Sequence, residues 1–109
     1  ILRLEALTGL VRVKGFEGLK LLRDYKVYIN DWIQVNMLYV LKNRRQAAPD
    51  DLAFLLNSSN ESLVTFGLRI VEEFNLSQYE ETIDQMASSQ LHIKNRQQIL
   101  LTQNKLKFL

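Results

Sequence analysis

The sequence predicts an all-α protein, and three observations carry that prediction. Leu63, Phe66, Gly67, Ile70, Val71 and Phe74 fall at i, i+3, i+4, i+7, i+8 and i+11, the apolar stripe of one α-helix over residues 60–74. Three segments carry the polar signature of a helix start. The 109 residues include only four Gly and one Pro, and no stretch alternates at period two for more than a few residues. Lys26-Val27-Tyr28-Ile29 is the one strand-like tetrapeptide, and four residues build no sheet alone.

Seven helices follow in order. Leu2 to Val13 reads as the first, ended by Lys14-Gly15. Phe16 to about Lys26 is the second. Asp31-Trp32-Ile33-Gln34 has the Asp-x-x-Gln form of a capping box and precedes Met37, Val40 and Leu41, which places a third helix there. Pro49 stands where a first-turn proline would open a short helix from Asp50 to Asn57. The helix over 60–74 starts at Ser58-Ser59-Asn60-Glu61, either as a Ser-x-x-Glu box or with Asn60 as a slightly later cap. Ser77-Gln78-Tyr79-Glu80 is another box, opening a helix to about residue 87 with Tyr79, Ile83, Met86 and Ala87 on one face. The last helix runs from Leu91 to about Leu106.

Composition excludes several classes. With 47% apolar and 24% charged residues the chain is a soluble globular domain, and its length allows one domain, 1–109. The absence of cysteine removes disulfide scaffolds, zinc-thiolate sites and thiol nucleophiles. The longest purely apolar run, as in Leu52 to Leu56, is five residues, against the roughly 20 that a membrane span needs. Because it begins at Ile1 and ends inside an expected helix, the sequence reads as a piece of something larger.

Charge is distributed in blocks. Residues 1–45 carry nine Lys or Arg against four acids, residues 46–90 one Arg against eight acids, and residues 91–109 four bases and no acid. Such blocks suit a nucleic-acid stripe and neighbouring helices that complement each other equally. The expected reading is simply solvated faces, because no single face is uniformly basic enough to hold phosphates strongly.

The helices repeat. Aligning Leu4, Val35, Val64 and Ile93 gives spacings of 31, 29 and 29, and the same alignment brings Leu10, Leu41, Ile70 and Ile99 together as a second buried column. The unit is a long helix, a turn and a short helix, repeated about three times with one extra long helix. One such hairpin cannot bury both its apolar faces, so neighbours must stack. The first helix fits this, because Leu2, Leu4, Ala6, Leu7, Leu10, Val11 and Val13 make it apolar on more than one face. Uncapped terminal helices would then leave apolar surface, a route to a homodimer. Gly9 and Gly67 lie inside helices, where close helix approach would compensate their low propensity.

Arg3-Leu4-Glu5-Ala6-Leu7 resembles the start of a HEAT-type repeat helix, and the resemblance extends over the chain as three and a half repeats of short period. The segments Ile29 to Asn36 and Leu56 to Phe66 are similar to uncharacterised bacterial HEAT-repeat proteins of Bacteroidetes, some with an N-terminal membrane anchor. The resemblance implies an α-α superhelix used for binding, either cytoplasmic or tethered by an upstream segment. Asp31, Trp32 and the Lys42-Asn43-Arg44-Arg45 cluster also resemble the aspartate, aromatic and basic groove of HEAT-like DNA glycosylases. The stronger expectation is that Asp31 caps its helix and Trp32 packs beside the preceding one.

Nothing else in the sequence points to catalysis, a metal or a cofactor. His92 is the only histidine, beside Ile93 on a helix face. The pairs Asp50-Asp51, Glu72-Glu73 and Glu80-Glu81 are adjacent in sequence and diverge by about 100° on a helix. Glu80 and Asp84 are an i,i+4 acidic pair that suits a helix start.

The expected function is a non-catalytic protein-interaction module with a protein or peptide partner. If the shorter helices line the binding face, its polar residues are Glu17, Lys20, Arg23, Asp24, Asp50, Asp51, Gln78, Glu81 and Asp84, with Tyr25, Tyr28 and Tyr79 as aromatic anchors. The alternative is nucleic-acid binding through Lys42, Arg44, Arg45, Lys94, Arg96, Lys105 and Lys107, which the acidic middle of the chain opposes.

Overall fold

The computed structural model describes residues 4–23, 29–45, 52–89 and 94–107, and these are all-helical with no strand among them. Six α-helices are formed: α1 (Leu4–Lys14), α2 (Asp31–Asn43), α3 (Ala53–Leu56), α4 (Glu61–Glu73), α5 (Glu80–Ser88) and α6 (Arg96–Lys107). Two 3-10 helices, Gly15–Arg23 and Ser77–Tyr79, complete the order. The long helices α1, α2, α4 and α6 are neighbours in chain order, while the first 3-10 helix packs on α1, α3 on α4 and α5 on α6.

Local chemistry explains where each element begins. Asn30 caps α2, its Oδ1 accepting the Ile33 N–H at 2.9 Å, so the cap falls one residue before the expected Asp31. Gln34 does not close a capping box. Its amide is buried and donates to the carbonyls of Ile29 at 2.8 Å and Ser62 at 3.3 Å. Asn60 caps α4 by accepting the Ser62 N–H at 3.0 Å, which selects the later of the two expected caps. The expected box at Ser77 is absent: Ser77–Tyr79 turns as a 3-10 helix, and α5 begins at Glu80 with no side-chain cap.

Other boundaries shift. The segment expected as an α-helix from Phe16 is a 3-10 helix, entered through Gly15 at φ 63°. Gly18 lets it lie on α1, since a Cβ there would stand 3.0 Å from the Leu10 carbonyl carbon and oxygen. α3 is a single turn shorter than the expected Asp50 to Asn57. The strand-like residues 26–28, Pro49 and the expected helix start at Leu91 lie outside the described residues.

The backbone repeats with a period that the apolar columns obscured. Gly15, Arg45 and Asn75, at 30-residue intervals, take left-handed φ values of 63°, 53° and 52° just after α1, α2 and α4. After α4 the Leu76 N–H reaches the Val71 carbonyl at 3.0 Å, the 6→1 bond of a Schellman motif. At the other helix ends, Asn30, Asn60 and Asn95 immediately precede α2, α4 and α6. Counting from these asparagines, the fourth residues are Gln34, Val64 and Ile99, the seventh Met37, Gly67 and Thr102, and the eleventh Leu41, Val71 and Leu106. All nine are buried.

This register corrects the first of the two expected buried columns. Val35 is 57% exposed whereas Val64 is buried, because a one-residue offset turns a helix position by about 100°. The structural counterparts of Val35 are Thr65, half-buried and accepting from Asn95 at 2.7 Å, and Leu100, which is exposed. In the second column Leu41, Ile70 and Ile99 are buried and Leu10 is half-buried; Leu4 and Ile93 have no described side chain.

The core is one cluster running from Val11, Phe16 and Leu19 through Met37, Leu41, Leu55, Phe66, Leu68 and Ile70 to Ile83, Ile99 and Leu106. Phe16 meets Phe74 edge-on, ring centroids 5.2 Å apart, tying the first 3-10 helix to the end of α4. A Cβ on Gly67 would fall 2.9 Å from Leu55 Cβ, so glycine is what allows α3 to lie on α4. The expectation for Gly9 is not met among the described residues, none of which comes within 4 Å of a Cβ placed there.

The two glycines should therefore respond oppositely to alanine. Gly9→Ala should raise stability by up to about 1 kcal/mol through helix propensity. Gly67→Ala should lower it by about 1–2 kcal/mol, overpacking exceeding that gain. Urea unfolding with unchanged slopes reads both, and equal signs would contradict the packing described.

Candidate functional site

The face expected to bind is only partly accessible. Glu17 is exposed and pairs with Lys20 at 3.4 Å; Gln78 and Glu81 are exposed. Tyr79 is no surface anchor. It is buried, and its hydroxyl accepts the Leu52 N–H at 3.1 Å, so it fixes the start of α5 to the start of α3. Asp84 faces α6, accepting from Gln103 Nε2 at 2.8 Å and pairing with Lys107 at 3.4 Å. Asp24, Tyr25, Tyr28, Asp50, Asp51 and His92 lie outside the described residues, as does the side chain of Arg23.

The charge blocks meet each other across helix boundaries. Lys42 of α2 pairs with Glu73 of α4 at 3.1 Å, and Asp31 of α2 with Arg69 of α4 at 3.3 Å. Lys94 pairs with Glu61 at 3.2 Å and Lys105 with Glu72 at 3.4 Å, so the basic last segment lies along the acidic α4. Exposed pairs of this kind contribute roughly 0–1 kcal/mol each, and their greater effect is on which helices sit side by side. Asp31 is thus an ion-pair partner rather than a cap.

The outward sides of the long helices carry what the sequence reading placed inside. Trp32, expected to pack beside the preceding helix, is 74% exposed, and Tyr39 is 67% exposed. With Val35 these residues form a ridge at i, i+3 and i+7 along α2. The opposite side of the same helix buries Ile33, Gln34, Met37, Leu38 and Leu41. α2 is therefore apolar on two sides, and that doubled apolarity was the available sequence signal. Val13 of α1 and Leu100 and Leu101 of α6 are also exposed, so large apolar side chains reach solvent on both terminal helices.

Depressions flank the ridge. Toward α1, a cavity of about 400 Å³ is lined by Arg12, Asn36, Tyr39, Val40, Asn43 and Arg44. The Arg44 guanidinium donates to the Arg12 carbonyl at 2.7 Å across its floor. Toward α4 and α6, a second depression of about 250 Å³ has Val35, Leu38 and Leu101 beside Arg69, Glu72, Glu73 and Gln98. Apolar and charged groups alternate across both.

The residues expected for the nucleic-acid alternative are largely engaged within the fold. Lys42, Lys94, Lys105 and Lys107 hold carboxylates, Arg44 holds the Arg12 carbonyl, and Arg96 approaches the Ala87 carbonyl at 3.4 Å. No group of three or more His, Cys, Asp and Glu side chains that could hold a metal ion occurs among the described residues. No helix among them is long and apolar enough to cross a membrane. No protein-family model matches the chain, and neither a curated protein nor a solved structure does.

The Gln103 hydrogen bond holds the Asp84 carboxyl below its ordinary value of 3.8, outweighing the opposing effect of desolvation, and the charge and hydrogen bond of Lys107 add smaller lowering contributions. A depressed folded value stabilises the fold above the unfolded value, and that stabilisation is lost as pH falls through the folded one. The thermal midpoint should accordingly fall once pH drops below 3.8. Asp84→Asn should shrink the difference between neutral and acid midpoints, and an unchanged difference would show that Asp84 is not linked to folding.

Proposed function

We propose that this chain is a non-catalytic protein-interaction module, a short-period HEAT-like helical stack whose working surface is the outward face of its long helices. The observation that carries this reading is the ridge of Trp32, Val35 and Tyr39 on α2, exposed on a helix whose other side is fully engaged in the core. Interface hot spots favour Trp, Tyr and Arg seated beside pockets, and here all three residue types converge. The 30-residue recurrence of left-handed helix ends, and the packing of long helices in chain order, support the repeat reading.

The shorter helices are weaker as the binding face, because Tyr79 is a core residue and Asp84 is held by α6. Nucleic-acid binding is weaker for a related reason. Of its seven candidate bases, only the Arg45 side chain makes no hydrogen bond or ion pair within the described residues.

Affinity capture from nuclease-treated lysate tests the assignment. A protein retained by the native chain should be lost from Trp32→Ala and Tyr39→Ala, each reducing recovery severalfold, and kept by Glu17→Lys and Glu81→Lys. Loss with the Glu17 and Glu81 reversals alone would move the site to the shorter helices. Recovery only when nuclease is omitted would replace protein with nucleic acid.

A further inference from the structure

The cavity between α1 and α2 has a chemical character of its own. Its six described lining residues include two arginines, Arg12 and Arg44, and no acid. Lys14 follows on α1 and Arg45 on the end of α2, both exposed. Among the described residues none of these four bases has a carboxylate within ion-pair distance, whereas Lys42, Lys94, Lys105 and Lys107 all have one. Among the described residues Arg12, Lys14, Arg44 and Arg45 therefore form a local group of positive charge with no paired carboxylate.

That group surrounds an apolar seat. Tyr39 and Val40 supply its apolar lining, Asn43 adds an amide, Asn36 holds its own amide on the Trp32 carbonyl at 2.7 Å, and the Arg44 guanidinium is braced by its bond to the Arg12 carbonyl. Bracing one N–H leaves the planar fork oriented toward a ligand at reduced entropic cost, the arrangement arginine uses to grip carboxylates. Arg45 contributes charge from a left-handed backbone position, φ 53°, just after α2.

We infer that this cavity binds an acidic peptide segment of a partner protein, one apolar side chain seated against Tyr39 and Val40 and flanking carboxylates held by Arg12 and Arg44. This rests on the interaction reading above and names the partner's chemistry. The volume of about 400 Å³ accommodates a single large side chain and its backbone rather than a folded surface. The α4 side of the ridge differs, because Glu72 and Glu73 line it and would repel an acidic segment.

Selection of a random twelve-residue peptide display library on the 109-residue chain tests this, with an oligodeoxynucleotide of matched charge as a second probe. Selected peptides should carry one aromatic or leucine among several Asp or Glu, and synthetic versions should shift the fluorescence of Trp32, the sole tryptophan. Arg12→Glu should weaken them at least tenfold, and so should Arg44→Ala; reversal of the distant Lys94 should have no effect. Circular dichroism melts show that each variant is folded, and Arg12→Glu, which keeps the Arg44 bond to a backbone carbonyl, serves if Arg44→Ala is not. Neutral or basic peptides that still require Tyr39 would overturn the acidic-segment inference while leaving the interaction reading intact. No selected peptides at all would overturn both. Tighter binding of the oligonucleotide, lost with Arg12→Glu, would assign the cavity to phosphates instead.

Discussion

A buried polar seam at the starts of α2, α4 and α6 holds the helices in rotational register. The Ser62 hydroxyl accepts the Ile29 N–H at 3.1 Å and donates to Asn60 Oδ1 at 2.7 Å, joining the approach to α2 with the cap of α4. Gln34 closes the same junction by donating to the carbonyls of Ile29 and Ser62. Asn95 extends it to α6, its amide donating to the Glu61 carbonyl at 3.1 Å and to Thr65 Oγ1 at 2.7 Å. Buried polar groups are costly when unpaired, by about 1–3 kcal/mol each, so rotating any of these helices would break several bonds together. Apolar packing is less particular about angle.

The outward face follows from that register. With Gln34 turned inward on α2, Trp32, Val35 and Tyr39 must point away from the core, because a helix gives each residue a fixed direction relative to its neighbours. The ion pairs Lys42–Glu73, Lys94–Glu61 and Lys105–Glu72 then lie along the helix boundaries, outside the seam. Glycine at position 67 brings α3 against the buried side of α4, leaving the opposite side as the floor beside the ridge. Register, ridge and flanking cavities are consequences of one set of buried hydrogen bonds.

Much of the architecture was legible in the residues. Helical periodicity at Leu63 to Phe74 and the Asn60 cap located α4, since both are local properties. The alternation of basic and acidic blocks read chiefly as solvated faces, with complementary neighbouring helices as one alternative, and the pairs Lys94–Glu61 and Lys105–Glu72 give that alternative its geometry. The apolar columns came within one residue of the 30-residue spacing of the left-handed positions 15, 45 and 75, but missed the rotational phase of α2 against α4. Aliphatic identity matched Val35 with Val64, while the caps match Gln34 with Val64. A buried glutamine is invisible to a hydrophobicity count, and its two acceptors, the carbonyls of Ile29 and Ser62, become evident only after folding. The same slip hid the ridge, because Trp32 looked like a core residue once its helix was turned the wrong way. Tyr79 erred in the other direction. Named as an anchor because interfaces favour tyrosine, although it shares a helix face with Ile83 and Met86, it is buried with its hydroxyl satisfied by a long-range bond from the Leu52 amide.

The amide of Ile29 reports on this seam most directly. It lies outside any helix and its partner is a side chain 33 residues away, so only the seam protects it. Native-state hydrogen exchange followed by NMR should find Ile29 exchanging nearly as slowly as the interior amides of α4, with that protection lost in Ser62→Ala while α4 remains helical. Exchange of Ile29 at the rate of an open loop in the native chain would contradict the seam, and with it the register that turns Trp32, Val35 and Tyr39 outward.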